Sequence, residues 1–492
     1  GKEKGIVNDL KKNENRKKSF IGSIKESFSG RKFRSGAYVT ATSAVVIAIV
    51  IIVNMIVSQL GLQVDLTSKK LYTLSDETID FVKNIKEDIT IYMLAETGNE
   101  DTDFQRIAKE YEKQSDHIHF VSKDPILYPK FASEYTDKEI SQNSFIVVND
   151  ETGRSKYLDY SDLVVTEFDY NTYKSNITGY DVEGEMTSAL QFVTNPNLPK
   201  MYVIEGHGEG EASEVFKSSM NRLNVQVENL EILKTESVPE DCDILYINTP
   251  TMDFSEEEVD RIKNYMMAGG NAIITLDYTC EKLTNFKSLL DYYGVKVTDG
   301  ILVEGDNNMH LPNYPNFLVP DVVKHDITNQ VIDDKVYVIT PVASGLTISD
   351  TTRSSLTVAP LLQTSDAAYA KQNINADTTS KEEGDIEGPF YIGLLASDTY
   401  NGVTSNMAVF SAKMMFDDNM IQGYGNGNLL SGTIGYMSGD KATISIASKS
   451  IASDHIYVTQ QQGILWGALV ILVLPVFILV TGVVVNLKRR KR

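Results

Sequence analysis

The sequence predicts an α/β protein whose extracytoplasmic body is bracketed by two membrane-crossing helices. Two uncharged apolar stretches lie near the ends of the chain, each with a basic block on its outer side, and the residues between them are strongly acidic. Within that acidic body, short apolar strands alternate with amphipathic helices, the pattern of an α/β fold.

The first stretch runs from Ser35 to Val64 and is densest over Ala44 to Leu60; the second runs from Ile456 to Leu487 around an apolar heart at Gly463 to Val485. A bilayer core of roughly 30 Å needs about 20 apolar residues in a helix, so spans are expected at 37–62 and 463–486. Pro475 does not oppose this, because neighbouring helices re-satisfy the carbonyl that a proline frees. Orientation follows from the basic residues. Residues 1–34 hold eleven lysines and arginines against four acids, and Lys488-Arg489-Arg490-Lys491-Arg492 ends the chain. The positive-inside rule then gives a two-pass plasma-membrane protein with cytoplasmic tails at 1–36 and 487–492 and its large body outside. The long basic region and the lack of a small-residue cleavage site read as an uncleaved anchor. Lysine, isoleucine and asparagine richness suits a Gram-positive envelope.

Between the tails remain 30 basic and 63 acidic side chains, a formal balance of −33. Nucleic acid is excluded as a partner of that body by sign. The basic tails suit anionic lipid instead. With only Cys242 and Cys280, at opposite ends of neighbouring strands, a disulfide is not expected.

In the first block, residues 63–175, Ser75 caps a helix carrying Ile79, Val82 and Ile85. A strand at Ile89 to Ala95, a helix at Phe104 to Tyr111 and a strand at Ile118 to Val121 follow, then a hairpin of Phe145 to Val148 with Tyr157-Leu158. This β-α-β then β-β order predicts a thioredoxin-like unit, and without Cys-x-x-Cys it has no redox chemistry. Asp169 to Gly184 reads as an exposed polar linker. The second block, 185–450, alternates strands at Met201 to Ile204, Val225 to Leu230, Ile244 to Asn248 and Ala272 to Leu276 with helices at Glu211 to Leu223 and Glu256 to Met267. A capping box of Ser255 and Glu258 starts the latter helix, and Gly269-Gly270 stops it. The pattern predicts a mostly parallel doubly wound sheet, to which Phe390 to Leu395 and Met407 to Phe410 return. Residues 371–388 lack periodicity and read as a mobile loop.

The candidate ligand or interaction loop is Gly206-His207-Gly208-Glu209, directly after the Met201 strand, because ligands bind at the carboxyl ends of such strands. His207 and Glu209 could serve acid–base or metal chemistry, or the segment could be a tight turn with a capping carboxylate. The turn is favoured, since no second histidine stands at ligand spacing and no nucleophile is near. His117 and His119 alternate on a strand as a weak pair, and His310, His325 and His455 are scattered. There is no P-loop, no Gly-x-Ser-x-Gly and no His-Glu-x-x-His, so no catalytic residue, metal ligand or cofactor site is assigned.

Asp65-Leu66-Thr67 with Lys70, Tyr72, Leu74 and Ser75, then Asp124-Pro125, then Glu185 with Thr187-Ser188-Ala189, form an ordered set. It continues through Gly206-His207-Gly208-Glu209 and Gly269-Gly270 to His325-Asp326-Ile327-Thr328. This set resembles the GldG-type auxiliary subunits of ABC transporters. The resemblance implies a thioredoxin-like region followed by a class I glutamine-amidotransferase-like domain without its chemistry. Where active amidotransferases place a cysteine after the strand, this chain reads Thr249-Pro250-Thr251, and Cys242 lies before the strand. The implied role is a non-catalytic module for binding or gating, partnered by an ABC-2 type permease and a cytoplasmic ATPase, with its ligand unidentified. A membrane-tethered hydrolase using His207 and Glu209, and a stand-alone envelope scaffold or receptor, are the alternatives.

Overall fold

The computed structural model describes residues 42–53, 55, 65, 67, 70–169, 174–350, 353–441, 443–446 and 448–451. The chain divides into two units, residues 1–66 and 67–492. In the first unit, residues 42–53 form a helix (α1) whose valines and isoleucines are exposed. Among the described residues no helix is long and apolar enough to cross a membrane. The rest of the expected first span, the whole second span and both basic tails lie outside the described residues.

The second unit opens with helix α2 (Asp76–Lys83), whose first turn is capped by the Ser75 side chain, as the sequence predicts. Strand β1 (Ile89–Leu94) pairs in parallel with β2 (Ile118–Lys123) across helix α3 (Thr102–Gln114). On its other edge β1 pairs antiparallel with β3 (Ser144–Asn149), which forms a hairpin with β4 (Ser155–Leu158). The order β2-β1-β3-β4 follows the predicted β-α-β then β-β sequence.

In the expected exposed linker at 169–184, the described residues lie mostly in regular elements. Strands β5 (Val164–Asp169) and β6 (Lys174–Tyr180) form a hairpin, and helix α4 (Val182–Thr194) follows at once. Val182, Met186, Ala189, Leu190 and Val193 of α4 are buried in the core of the first block. Lys174, Ser175 and Asn176 are exposed, as expected of the stretch, whereas Asp181 and Glu183 are buried and paired with Arg222 and Lys449, which composition alone does not reveal. Strand β6 also receives Lys449–Ser450 antiparallel, so the end of the described chain returns to the first block.

The large sheet has ten strands. Its parallel half comprises β7 (Lys200–Ile204), β8 (Gln226–Leu230), β9 (Ile244–Asn248) and β10 (Asn271–Thr275). Helices α5 (Glu214–Arg222) and α6 (Glu256–Met267) connect them, and the Ser255/Glu258 capping box and the positive φ of Gly269 bound α6 as expected. Strand side chains are buried on both faces: Ile244 and Tyr246 pack into one core, Leu245 and Ile247 into the other.

After β11 (Val295–Thr298), the sheet gains β12 (Gly345–Ile348), β13 (Leu356–Gln363), β14 (Tyr391–Tyr400) and β15 (Val403–Phe410). Strand β15 does join the parallel set beside β10. Strand β14, expected there too, runs antiparallel to β15. Asn401 and Gly402, both at positive φ, make the two-residue turn between them, and a hairpin this tight allows no parallel pairing. Residues 371–388 are irregular but fastened, for buried Lys371 donates to Ser380 O and the Glu382 carboxylate, each at 2.8 Å.

The two blocks meet at a charged join. Arg222 at the end of α5 donates to Asp181 Oδ1 at 2.9 Å and pairs with Asp181 Oδ2 at 2.7 Å, and it lies 3.7 Å from Glu185. The same guanidinium also donates to Ile446 O. Lys156 on β4 donates to Ser188 Oγ, Asn221 O and Asn224 Oδ1. Burial pushes the Asp181 carboxyl up to about 7 against the opposing pull of Arg222, and it drives the Lys156 ammonium down to about 8.

Removing one partner of such a pair strands a buried charge. Arg222→Met is expected to cost about 3–5 kcal/mol in urea unfolding. Because the Asp181 pKa is raised in the folded state, its protonated form is the stabilising one. The penalty of the variant should therefore be smaller near pH 5 than near pH 8, on either side of the raised value. An equal penalty at both would show that Asp181 is not the stranded charge.

Candidate functional site

The chain leaves β7 for β8 on one side and later enters β9 on the other, so a topological switch point lies between the carboxyl ends of β7 and β9. In open α/β sheets that crevice is where ligands bind. Gly206-His207-Gly208-Glu209 follows β7 and Thr249-Pro250-Thr251 follows β9, so both segments singled out by sequence stand at it. They are laced together. The backbone N–H groups of Thr251 and Met252 donate to His207 O at 2.9 and 2.8 Å. Gly208 holds φ at +72°, and a Cβ there would stand 2.1 Å from Thr251 Oγ1, so the close approach of the two loops needs glycine.

His207 is 6% exposed and stacks on Phe254 at 3.9 Å between ring centroids. Its Nδ1 lies 3.2 Å from Glu209 Oε1, while Glu209 Oε2 accepts the His207 backbone N–H at 2.7 Å. Its Nε2 stands 3.2 Å from Glu258 Oε1. That oxygen has no partner of hydrogen-bond geometry, so the contact is an ion pair rather than an aligned bond. The other Glu258 oxygen accepts Ser255 N and Oγ at 2.8 and 2.9 Å within the capping box of α6. Burial alone would lower the His207 pKa, but the Glu209 and Glu258 carboxylates outweigh it and the net shift is upward. Glu258 also feels burial, which raises its pKa; the Ser255 hydrogen bonds and His207 more than offset this, leaving the carboxyl below its ordinary value.

The imidazole is thus a latch from the β7 loop to the first turn of α6, with both nitrogens directed to this chain's own carboxylates. Among the described residues no group of three His, Cys, Asp or Glu side chains could hold a metal ion. The neighbouring position of interest, Thr249, is held at φ +52°, uncommon for a β-branched residue. Its hydroxyl is buried and bonded to Thr275 Oγ1 at 3.1 Å, so it does not face the crevice as a nucleophile would. Cys242 is buried before β9 and its thiol is pushed up to about 11 by burial, which keeps it out of thiolate chemistry.

The other histidines are not drawn together. His117 pairs with Asp88 at 2.9 Å on the surface of the first block, His310 contacts Leu311 O, and His325 meets the Tyr436 ring; His455 lies outside the described residues. Sequence reading missed Phe254 and the latch role of Glu258, which lie some fifty residues beyond the loop they close. It also missed a cleft of ≈740 Å³ at the amino ends of β9, β10 and β15, bordered by Asp243, Asn264, Tyr265, Asn406 and Lys441. Its size falls in the small-molecule range. Ser438 Oγ is buried at this cleft without a hydrogen-bond partner. The lining comes from widely separated segments, which explains why no local motif announced it.

The latch makes stability depend on pH. The folded His207 pKa is raised, so its contribution is complete below the unfolded value of about 6.5 and disappears as pH rises through the folded value. Between about pH 6 and about pH 9, the thermal midpoint of the wild-type protein should fall more steeply than that of Glu258→Gln. Parallel slopes would refute the latch.

Two family models match separate parts of the chain. Residues 198–430 match a family described as an ABC-type uncharacterized transport system (ABC_transp_aux), and residues 68–166 match a domain of unknown function, DUF7088. No curated protein matches the chain significantly. Among solved structures, the mmIFT52 N-terminal domain is 16% identical, with TM-score 0.37, covering 49% of this chain and 98% of its own. A cytoplasmic protein from Salmonella typhimurium is 12% identical, with TM-score 0.31, covering 48% and 97%. A ThuA-like protein from Parabacteroides merdae is 12% identical, with TM-score 0.28, covering 51% and 92%. Likeness this distant carries no functional information. The match over residues 198–430 supports a relationship to an ABC transporter auxiliary family.

Proposed function

We propose that this protein is a non-catalytic, membrane-anchored auxiliary subunit of an ABC-2 type transporter, acting outside the cytoplasm as a binding or gating module beside a separate permease and ATPase. The family match over residues 198–430 carries the transport assignment. The GldG-type relationship and the thioredoxin-like and amidotransferase-like descriptions of the two blocks belong to the same reading.

The anchoring half draws support from where the chain enters and leaves the body. Lys449 Nζ donates to Lys70 O at 3.0 Å and to Thr73 O at 2.5 Å, and it pairs with Glu183 at 2.6 Å. The segment leading in from the first apolar stretch and the segment leading out toward the second are therefore in contact. A hairpin of two spans requires that adjacency. The acidic body outside and basic tails within follow the positive-inside rule, and anionic lipid would bind those tails. The hydrolase alternative loses support, because His207 and Glu209 are occupied by each other and by Glu258. A stand-alone scaffold or receptor differs from the proposal in lacking transport partners.

Extraction of the protein in mild detergent followed by identification of co-purifying chains separates the two. A polytopic permease and a P-loop ATPase should be recovered in fixed ratio with it, and Glu209→Gln should leave that ratio unchanged. Repeated isolation of the chain by itself would contradict the transporter assignment.

A further inference from the structure

Asp124-Pro125, part of the ordered motif set, opens an apolar tip. Ile126, Leu127 and Tyr128 are 68%, 67% and 55% exposed, the one run of three consecutive exposed large apolar side chains among the described residues of the second unit. Exposed apolar residues scattered singly are ordinary; a contiguous run on a folded surface marks a contact site.

The tip is rigidly built. Asp124 Oδ1 accepts the backbone N–H groups of Ile126 at 2.8 Å and Leu127 at 3.3 Å, while Oδ2 accepts Thr97 N and Oγ1 at 2.9 and 2.8 Å. These bonds hold the Asp124 carboxyl at about 2, so the loop keeps its shape at any physiological pH. Phe131 anchors the far end, edge-on to Tyr92 at 4.7 Å. Lys123 Nζ lies over the Tyr128 ring at 4.7 Å, and Lys130 stands exposed beside it. The tip thus combines two aliphatic side chains, an amphipathic ring and two lysines with one carboxylate, Asp124, which stays ionised and accepts four hydrogen bonds. With Lys123 and Lys130 against Asp124, residues 123–130 carry a formal +1 on a body whose balance is −33.

We propose that the Ile126-Leu127-Tyr128 tip inserts into the headgroup layer of an anionic phospholipid bilayer. The inference rests on the membrane-anchored reading and adds a third attachment to it. Apolar side chains flanked by tyrosine and snorkelling lysines are the chemistry of a membrane interface. A protein groove would need no cationic collar. Position agrees: entry and exit of the chain both lie on the first block, the block that carries the tip.

The test uses the full chain reconstituted in vesicles of phosphatidylcholine, with or without phosphatidylglycerol. A polarity-sensitive fluorophore is placed on Leu127→Cys, on Tyr128→Cys, or on Leu233→Cys as a control. Leu233 is 67% exposed and has no apolar run around it. Cys242 and Cys280 are buried with thiols pushed up to about 11 and about 12, so the label goes to the introduced cysteine. Labels at 127 and 128 should emit at shorter wavelength than the control and be quenched several-fold more by spin-labelled lipid. Phosphatidylglycerol should strengthen this, and Lys123→Glu with Lys130→Glu should abolish the strengthening. Quenching equal to the control in both lipids would overturn the proposal. Shielding without lipid quenching overturns it too: dependence on added permease would mean a protein dock, and dependence on protein concentration a second copy. Vesicle flotation reports anchoring separately, so failure of the tip and failure of the anchor are distinguishable.

Discussion

The Arg222 guanidinium is the point on which the arrangement of the body depends. It reaches from the end of α5 to Asp181 and Glu185 at the start of α4 and to Ile446 O on the returning chain. Three segments distant in sequence are thereby fixed at one charge. Gly184 is required beside it, since a Cβ there would fall 2.5 Å from both the guanidinium and Asp181 Oδ1. Asn224 completes the join, donating to Ser188 O and Thr443 Oγ1. Buried ion pairs rarely add net stability over an apolar substitute, but they penalise every arrangement that leaves a charge alone. Here that penalty favours a single relative placement of the two blocks.

How much was legible in the sequence follows from whether a signal was local. Ser75 and the Ser255/Glu258 box announced their helices because a cap is a contact within four residues. The parallel strands announced themselves because burial on both faces leaves an unbroken apolar run. Helix α4 escaped because Asp181, Glu183, Glu185, Thr187 and Ser188 look like solvent-facing residues; their partners Ser75, Tyr111, Lys449 and Arg222 lie far along the chain. The β14–β15 hairpin was a local signal that was overlooked: Asn401-Gly402 between two apolar runs specifies an antiparallel turn. The candidate loop was legible as a position, since glycines after a parallel strand mark the crevice. Its closure was not, because Phe254 and Glu258 reach it from another element.

The motif set that suggested the family proves to be made of tertiary fasteners. Ser75 caps α2 and also donates to Glu183 Oε1 at 2.7 Å, joining the first helix of the block to its last. Asp124 clasps the apolar tip. Thr328 Oγ1 donates to Val323 O at 2.6 Å and accepts from His325 N, folding the His325-Asp326-Ile327-Thr328 segment on itself. Gly269 ends α6 at a φ that an L side chain rarely adopts. None of these groups is poised for bond making.

That distribution bears on how such a body could act with a transport partner. The switch-point crevice, where an α/β enzyme would admit a ligand, is closed by the His207 latch, while the open cleft lies at the opposite, amino ends of the strands. The cleft is bordered by Lys441, which pairs with Asp243 at 2.8 Å, only eight residues before Lys449 on the strand that joins the first block. The chain segment from 441 to 449 thus touches the cleft, the Arg222 join through Ile446, and the site of chain entry through Lys70. A ligand that moved Lys441 would act on the one segment connecting all three. Coupling of that kind requires two discrete arrangements of the segment, whose ladder with β6 is two residues long.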